Sequence, residues 1–435
     1  MKALFINPPI YDFSTYDLWM KPLGFLYLVD LFKKNGWETY YFDFMDRNHP
    51  FYDDIKRKEV YGCGKFYSSR EIKPSIYKDV PRIYRRFGLP LETFISFKES
   101  IPDVDFIFIT SGMTYWYKGV EEVINFCREN FPNTPIVLGG TYVNFCLSHA
   151  KTLGVDFLFS GKNLSNFCKE FSNHFNVSLK YYNQLSPDWS VYKKLSYLCL
   201  KTSSGCPFNC YYCGTKKVEP TYLPWDIDTI VDETLESLNT FNINDIAFYD
   251  DALLFNFKRH LEVILKKLNG NKRNLRFHTP NGLHSKFINR ETSALLKEYG
   301  FKTLRLSLES VFSFRAEESS YKTTFTQFEN ALNLLLNAGF NKENIGVYIL
   351  LGLPEQKPEE VIESIKILKG YSCKIKLAEY SPIPGTFFYE MSEKIYPQLP
   401  LSNPLFQNNS IVPLWQFDGK WDILNYIKQQ SFPVK

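Results

Sequence analysis

The run Gly205-Cys206-Pro207-Phe208-Asn209-Cys210-Tyr211-Tyr212-Cys213-Gly214 spaces its cysteines as C-x3-C-x2-C. A cubane of four irons and four sulfides takes four thiolates. Three from one loop therefore hold three irons and leave the fourth open to an outside ligand. A structural zinc site ordinarily draws on four Cys or His ligands, often as paired C-x2-C units, and no second C-x2-C or C-x3-C occurs in the chain. His278 and His284 could complete a zinc set only from far along the sequence. Cys210 and Cys213 stand too close for a comfortable disulfide, and nothing else reads as secreted.

The surrounding composition fits that loop. The 435 residues suffice for two or three domains with cores of their own. With 39 Phe and 29 Tyr the aromatic share is high, which favours large cores and stacking-rich pockets. Nine cysteines at irregular spacing fit a reducing compartment such as the cytoplasm. No run of about 18 apolar residues is present to cross a bilayer, and the opening MKALFINPPIYDF reads as a strand entering a loop rather than a signal peptide. A net charge of +4 gives no sign of a nucleic-acid partner. The basic stretches Lys258-Arg259-His260, Lys272-Arg273 and Arg82 to Arg86 read as solvated faces.

Upstream of the cysteines, apolar runs alternate with amphipathic segments. Strands are expected at 3–6, 39–42, 105–109, 135–138 and 155–159, with helices over 23–35 and 119–129, which predicts a doubly wound parallel sheet. Such sheets bind ligands beyond the carboxyl ends of their strands. Those ends carry Asn7, Thr110-Ser111-Gly112, Gly139-Gly140-Thr141-Tyr142 and Ser160-Gly161. Residues 47–100 break the alternation and read as a cover or packing arm, with Cys63 an incidental thiol.

Downstream, strands at 197–200, 245–249, 275–277, 303–306, 346–350 and 374–379 alternate with helices at 227–238, 291–299, 325–338 and 358–368. Six strand-helix units suggest a partial (β/α)6 barrel whose carboxyl face is reactive. Residues 1–185 are expected as the first domain and 186–390 as the barrel. The tail 391–435, with its repeated prolines, is expected as an extension wrapping the barrel's open side, with Trp415 and Trp421 as packing residues.

The cysteine spacing and the two-domain order resemble the radical S-adenosylmethionine (SAM) superfamily, in the branch with an N-terminal cobalamin-binding-like domain. Pro22-Leu23-Gly24 and the string Met113-Thr114-Tyr115-Trp116-Tyr117 are similar to that branch, as are Gly139-Gly140-Thr141-Tyr142 and Ser148-His149-Ala150. The resemblance implies a [4Fe-4S] cluster on Cys206, Cys210 and Cys213, with SAM chelating the open iron. It implies a SAM site from Tyr212, Asp250, Asp251, Arg305, Ser307, Glu309 and the backbone near Leu351, where Gly352-Leu353-Pro354 resembles the family's Gly-Leu-Pro-Gly turn. It implies cobalamin near Asn7, Thr110, Ser111, Met113, Tyr115, Gly139, Gly140, Thr141, Tyr142 and Gly161. The D-x-H-x-x-G motif that supplies a cobalt ligand in other cobalamin proteins is absent.

The implied activity is reductive SAM cleavage to a 5'-deoxyadenosyl radical, with cobalamin-dependent methyl transfer to an unactivated carbon of a small-molecule or peptide substrate. An electron donor such as flavodoxin or ferredoxin would serve it. A radical SAM enzyme without cobalamin, doing rearrangement, cyclisation or oxidation, stays open, as does a non-catalytic metal-binding protein. Arg305 and Glu309 could instead be a satisfied ion pair, and His278 and His284 either proton-transfer groups or histidines bonded into the barrel wall.

Overall fold

Runs of apolar residues cut off by Asn, Gly or Pro become the parallel strands of two separate sheets. The computed structural model describes residues 1–435 apart from 54, 56–58, 271–272, 413–415, 418 and 433–435. Trp415 and Lys272 of the readings above thus lie outside the described residues. Two units emerge: residues 1–196 with 400–407, and residues 197–399 with 408–435.

In the first unit, β1 (Lys2–Asn7), β2 (Glu38–Asp43), β3 (Phe106–Ile109), β4 (Ile136–Leu138) and β5 (Phe157–Leu158) form one sheet in the order β5-β4-β3-β1-β2. All pairings are parallel. The order reverses between β1 and β3, and a crevice opens at such a point beyond the strands' carboxyl ends. The connecting helices are α1 (Leu23–Lys34), α2 (Tyr117–Asn130) and α3 (Leu164–Phe175). They bury one apolar face each against the sheet. Phe5 stacks on Phe108 at 4.8 Å, and Phe32 and Phe171 close over the pair. Full burial of one such ring contributes about 1.5–3 kcal/mol, which makes this aromatic cluster the anchor of the unit.

The described part of the irregular segment 47–100 carries short elements of its own. Ser68–Arg70 and Arg85–Phe87 pair antiparallel with each other, and Arg85–Phe87 also pairs with Ile10–Asp12; helix Leu91–Glu99 follows. Arg86, expected on a solvated face, is instead buried, forked onto the Glu122 carboxylate of α2 and donating to the Leu89 carbonyl. Cys63 is buried as well.

In the second unit, β6 (Leu198–Leu200), β7 (Asp245–Phe248), β8 (Arg276–His278), β10 (Phe301–Glu309), β11 (Ile345–Leu351) and β12 (Lys374–Glu379) lie side by side in sequence order. Short β9 (Leu283–His284) also pairs with β10. Helices α4 (Ile227–Phe241), α5 (Leu261–Asn269), α6 (Arg290–Glu298), α7 (Phe325–Asn337) and α8 (Pro358–Lys369) alternate with the strands. Side chains set the helix starts: Asp226 caps α4, Asn289 caps α6, and Thr324 with Gln327 forms a capping box on α7. Six parallel strands with this alternation make the partial barrel expected from the sequence.

The expected domain limits need correction. The first unit runs on to Ser196 because Trp189, Tyr192 and Leu195 are buried, with the Tyr192 phenol donating to Asp43 and Ser196 to Asn48. The tail is no single extension. Pro400–Gln407 belongs to the first unit, where Leu401 and Leu405 are buried and the Tyr77 phenol donates to the Leu405 carbonyl at 2.8 Å. The tail also holds a helix, Trp421–Gln430, packed on α8.

Candidate functional site

The cysteine loop leaves β6 through a tight turn at Gly205, whose φ of +68° suits glycine; a Cβ there would lie 2.3 Å from the Thr221 carbonyl oxygen. The segment following β10 then clamps the loop. Tyr211 N–H donates to the Glu318 carbonyl at 2.8 Å, Asn209 N–H to Ser320 Oγ at 3.0 Å, and Cys210 Sγ lies 3.4 Å from the Ser319 carbonyl. Burial pushes the Cys210 thiol up to about 11 and raises that of Cys206, against the pull of the Lys322 ammonium on both. Among the described residues no three His, Cys, Asp or Glu side chains are grouped to hold one metal ion. A cubane asks for something else, one iron per cysteine, and three thiols on a clamped loop beside a buried cation suit that demand.

Lys322 is the centre of the local electrostatics. It is buried, pairs with the Glu309 carboxylate and donates to the Tyr212 phenol at 2.9 Å. Burial opposes its charge, but Glu309 and Cys210 outweigh burial and hold the ammonium above its ordinary value. Glu309 ends β10 with φ +70° at a register shift against β11, a left-handed conformation that a side chain adopts only where its surroundings impose it. Tyr212 packs with Leu350, Leu353, Tyr380 and Phe388.

Other strand-end residues divide sharply. Asp250 is turned inward: it accepts from Thr202 N–H at 3.1 Å, Thr202 Oγ1 at 2.9 Å and Ser203 Oγ at 2.5 Å, so its carboxylate stitches β7 to the end of β6 instead of facing a ligand. Asp251 is only half-buried and lies within electrostatic reach of Cys206. Arg305 does not pair with Glu309, which has taken Lys322; its guanidinium bonds the Leu304 carbonyl and sits by Tyr348. Ser307 is buried beside Gly282. After Leu351, whose carbonyl accepts from Tyr380 N–H, the Gly352 and Leu353 N–H groups both donate to the Gln356 side chain, so this stretch of backbone is not free for adenine as expected.

The two histidines differ. His278 is bonded into the wall, with Nε2 3.0 Å from Asp245 and Nδ1 3.0 Å from Thr303. His284 is buried with its Nδ1 unpartnered, and its ring lies 4.6 Å from that of Phe208. His260, expected on a solvated face, is buried against the Thr202 carbonyl.

Residues 200–368 match the model of the Radical SAM superfamily. The second unit carries a radical SAM domain.

The solved radical SAM methyltransferase TsrM from Kitasatospora setae, with cobalamin and a [4Fe-4S] cluster bound, superposes with a TM-score of 0.65 at 14% identity, over 91% of this chain and 78% of that one. The cobalamin-dependent SAM radical enzyme OxsB gives 0.58 at 12% identity, over 91% and 55%. An uncharacterized methyltransferase of Pyrococcus horikoshii is 26% identical over 194 residues, a match spanning 43% of this chain and 40% of that relative. Around the radical SAM domain's cysteines, sequence reasoning missed Lys322 and Gln356. Lys322 stands in the hydroxyl-rich run Ser319-Ser320-Tyr321-Lys322-Thr323-Thr324, where being the only charge is its sole signal.

In the first unit, the carboxyl ends of the strands bring the expected residues to one rim. Asn7 is committed to Asp43 at 2.6 Å, and Ser111 donates to the Gly139 carbonyl while accepting from Tyr142 N–H. Tyr115 is buried and Met113 half-buried. The Thr110 and Thr141 N–H groups are spent on Ile6 and Ser111 carbonyls, and the Gly140 carbonyl on Asn144. Gly161 N–H donates to the Asn144 side chain. Gly112, Thr141 and Ser160 are exposed. His149 is bonded to the Tyr142 phenol at 2.6 Å.

Proposed function

We propose that the chain is a radical SAM enzyme that transfers a methyl group with the help of cobalamin. Cys206, Cys210 and Cys213 would hold a [4Fe-4S] cluster, which when bound supplies the electron that splits SAM into methionine and a hydrogen-abstracting 5'-deoxyadenosyl radical. The observation that carries the reading is the clamped three-cysteine loop with Lys322 buried against it.

The chain's own part is charge and position. Lys322 offsets the negative charge of the thiolates, and Glu309 fixes Lys322. Asp251, within electrostatic reach of Cys206, would add its charge near the ammonium of SAM, and Arg305, with no carboxylate partner among the described residues, would meet the SAM carboxylate. Tyr212 and the apolar residues around it keep water from that side of the loop.

In the first unit, the exposed rim of Gly112, Thr141 and Ser160 suits a large polar ligand, and the loop from Asn7 to Asp17 contains no histidine to approach its metal. Cobalamin held there by the rim backbone would supply a cobalt-bound methyl group. An electron donor such as flavodoxin or ferredoxin and a reducing compartment, the cytoplasm, complete the scheme. No described helix is long and apolar enough to cross a membrane.

The test is anaerobic reconstitution with iron, sulfide and hydroxocobalamin, then incubation with SAM and dithionite. About four irons per chain, 5'-deoxyadenosine as product and retained corrinoid absorbance are expected. Alanine at each cysteine should remove iron and product together. Iron and product without corrinoid would leave a radical SAM enzyme of another reaction type.

A further inference from the structure

His284 and Lys286 meet on one ring. The His284 imidazole lies 4.6 Å from the Phe208 ring, centroid to centroid, and the Lys286 ammonium stands 4.1 Å from the same centroid. Phe208 sits between Cys206 and Cys210, so both groups border the cysteine loop. His284 ends β9 beside Ser307 of β10, at the carboxyl end of the sheet.

His284 has an unmet polar atom, and Lys286 has no acidic partner among the described residues. His284 is 4% exposed and its Nδ1 is buried with no hydrogen-bond partner, a deficit that a bound acceptor or donor would relieve. Lys286 is half-buried and has no carboxylate partner among the described residues. Its neighbours are rings: Phe208, and Phe287 at 5.5 Å, with Phe255 stacked edge-on to Phe287 and Tyr222 to Phe255. The cation-π contact attracts the ammonium without neutralising it. Burial lowers both groups; Lys322 and Lys286 add to the effect on His284, while Cys210 opposes it on Lys286, so a neutral imidazole stands near an ammonium that has no carboxylate partner among the described residues.

That pair is completed by an anion carried on a flat apolar body. The ammonium supplies the charge, the imidazole a directional hydrogen bond, and the aromatic side chains the wall. We propose that His284 and Lys286 bind the carboxylate of the substrate, and that the substrate is an aromatic or similarly flat apolar acid. The proposal rests on the radical SAM reading above and deepens it by naming a substrate class.

The test uses cluster-loaded protein under anaerobic conditions with saturating SAM. Titration calorimetry compares 3-phenylpropionate and indole-3-acetate with their primary amides. The acids should bind about tenfold or more tightly than the amides, the size expected for one charge-assisted hydrogen bond. Lys286→Met should abolish that preference, and both His284→Gln and His284→Leu should weaken acid binding by a similar factor.

Equal binding of acid and amide, or binding of neither, overturns the proposal. So does acid binding that is seen only when SAM is left out, which would make this the pocket of SAM's own carboxylate. A Lys286→Met protein with a shifted cluster potential and unchanged acid affinity would assign the lysine to cluster charge and also overturn it. Formation of 5'-deoxyadenosine by the wild-type preparation reports separately: its absence with acid binding intact defeats the enzyme reading and leaves the binding site standing.

Discussion

The Lys322 ammonium donates a hydrogen bond of 2.9 Å to the phenol of Tyr212, the residue immediately before the third cysteine of the loop. The same ammonium pairs with Glu309 at the end of β10, so one buried cation ties the cysteine loop to the strand beside it. Removing it leaves the largely covered Glu309 carboxylate without its cation.

Lys322→Met should therefore cost about 3–5 kcal/mol, the usual loss when one partner of a buried pair is deleted. Lys322→Met/Glu309→Gln should recover part of it. Urea midpoints of the three proteins check the stability, and iron content after reconstitution should be lowest in the single variant.

Asp250 and Asp251 are adjacent in sequence and divided in duty. Asp250→Ala strands the Thr202 N–H and two hydroxyls, a loss of about 1–3 kcal/mol for each group left unsatisfied. Asp251→Asn should lower the urea midpoint less than Asp250→Ala does and weaken SAM binding more. Equal effects of the two substitutions on SAM affinity would defeat this division.

Acid should destabilise the protein through its buried histidines. His284 is held at about 3 against an ordinary 6.5, by burial first and then by Lys322 and Lys286. Its native value lies below its unfolded one, so the unfolded chain takes up the proton and stability falls as pH drops from about 6.5 toward 3. The limit is ~1.4 kcal/mol per pH unit for one such group. His278 is lowered too, by burial against the opposing pull of Asp245. His284→Gln should flatten the slope of unfolding free energy between pH 6.5 and 5, leaving the share of His278.

Gly119 near the start of α2 touches the chain just beyond β1. A Cβ there would come 1.7 Å from the Pro9 carbonyl oxygen, an overlap with rigid backbone. Gly119→Ala should thus destabilise the first unit despite the gain in helix propensity of about 1 kcal/mol. A raised thermal midpoint would contradict the close contact.

The strands were legible because each is an apolar run ended by a residue that cannot continue it, as at Ile6-Asn7-Pro8 or Leu138-Gly139. The cysteine loop was legible because its spacing carries chemical meaning by itself. Partner choice was not. Nothing in the sequence separates His278 from His284, since both follow apolar strands and only the Asp245 and Thr303 contacts satisfy one of them. Glu309 was read with Arg305, four residues away, whereas its cation comes from thirteen residues downstream in a polar loop. Gln356 escaped attention because its amide works on backbone N–H groups, a use that leaves no pattern. The insertion was opaque since its strands are only two or three residues long, too short for alternation to register.

Pro400–Gln407 completes the first unit from more than 200 positions beyond Ser196. On the ribosome the amino-terminal sheet emerges long before this last piece is synthesised. The nascent chain must carry an unfinished first unit, with the hydrophobic berth of Leu401 and Leu405 uncovered, through translation of the entire barrel. Closure of that unit thus waits on the synthesis of residues 197–399, a departure from the ordinary progression in which one domain is finished before the next begins.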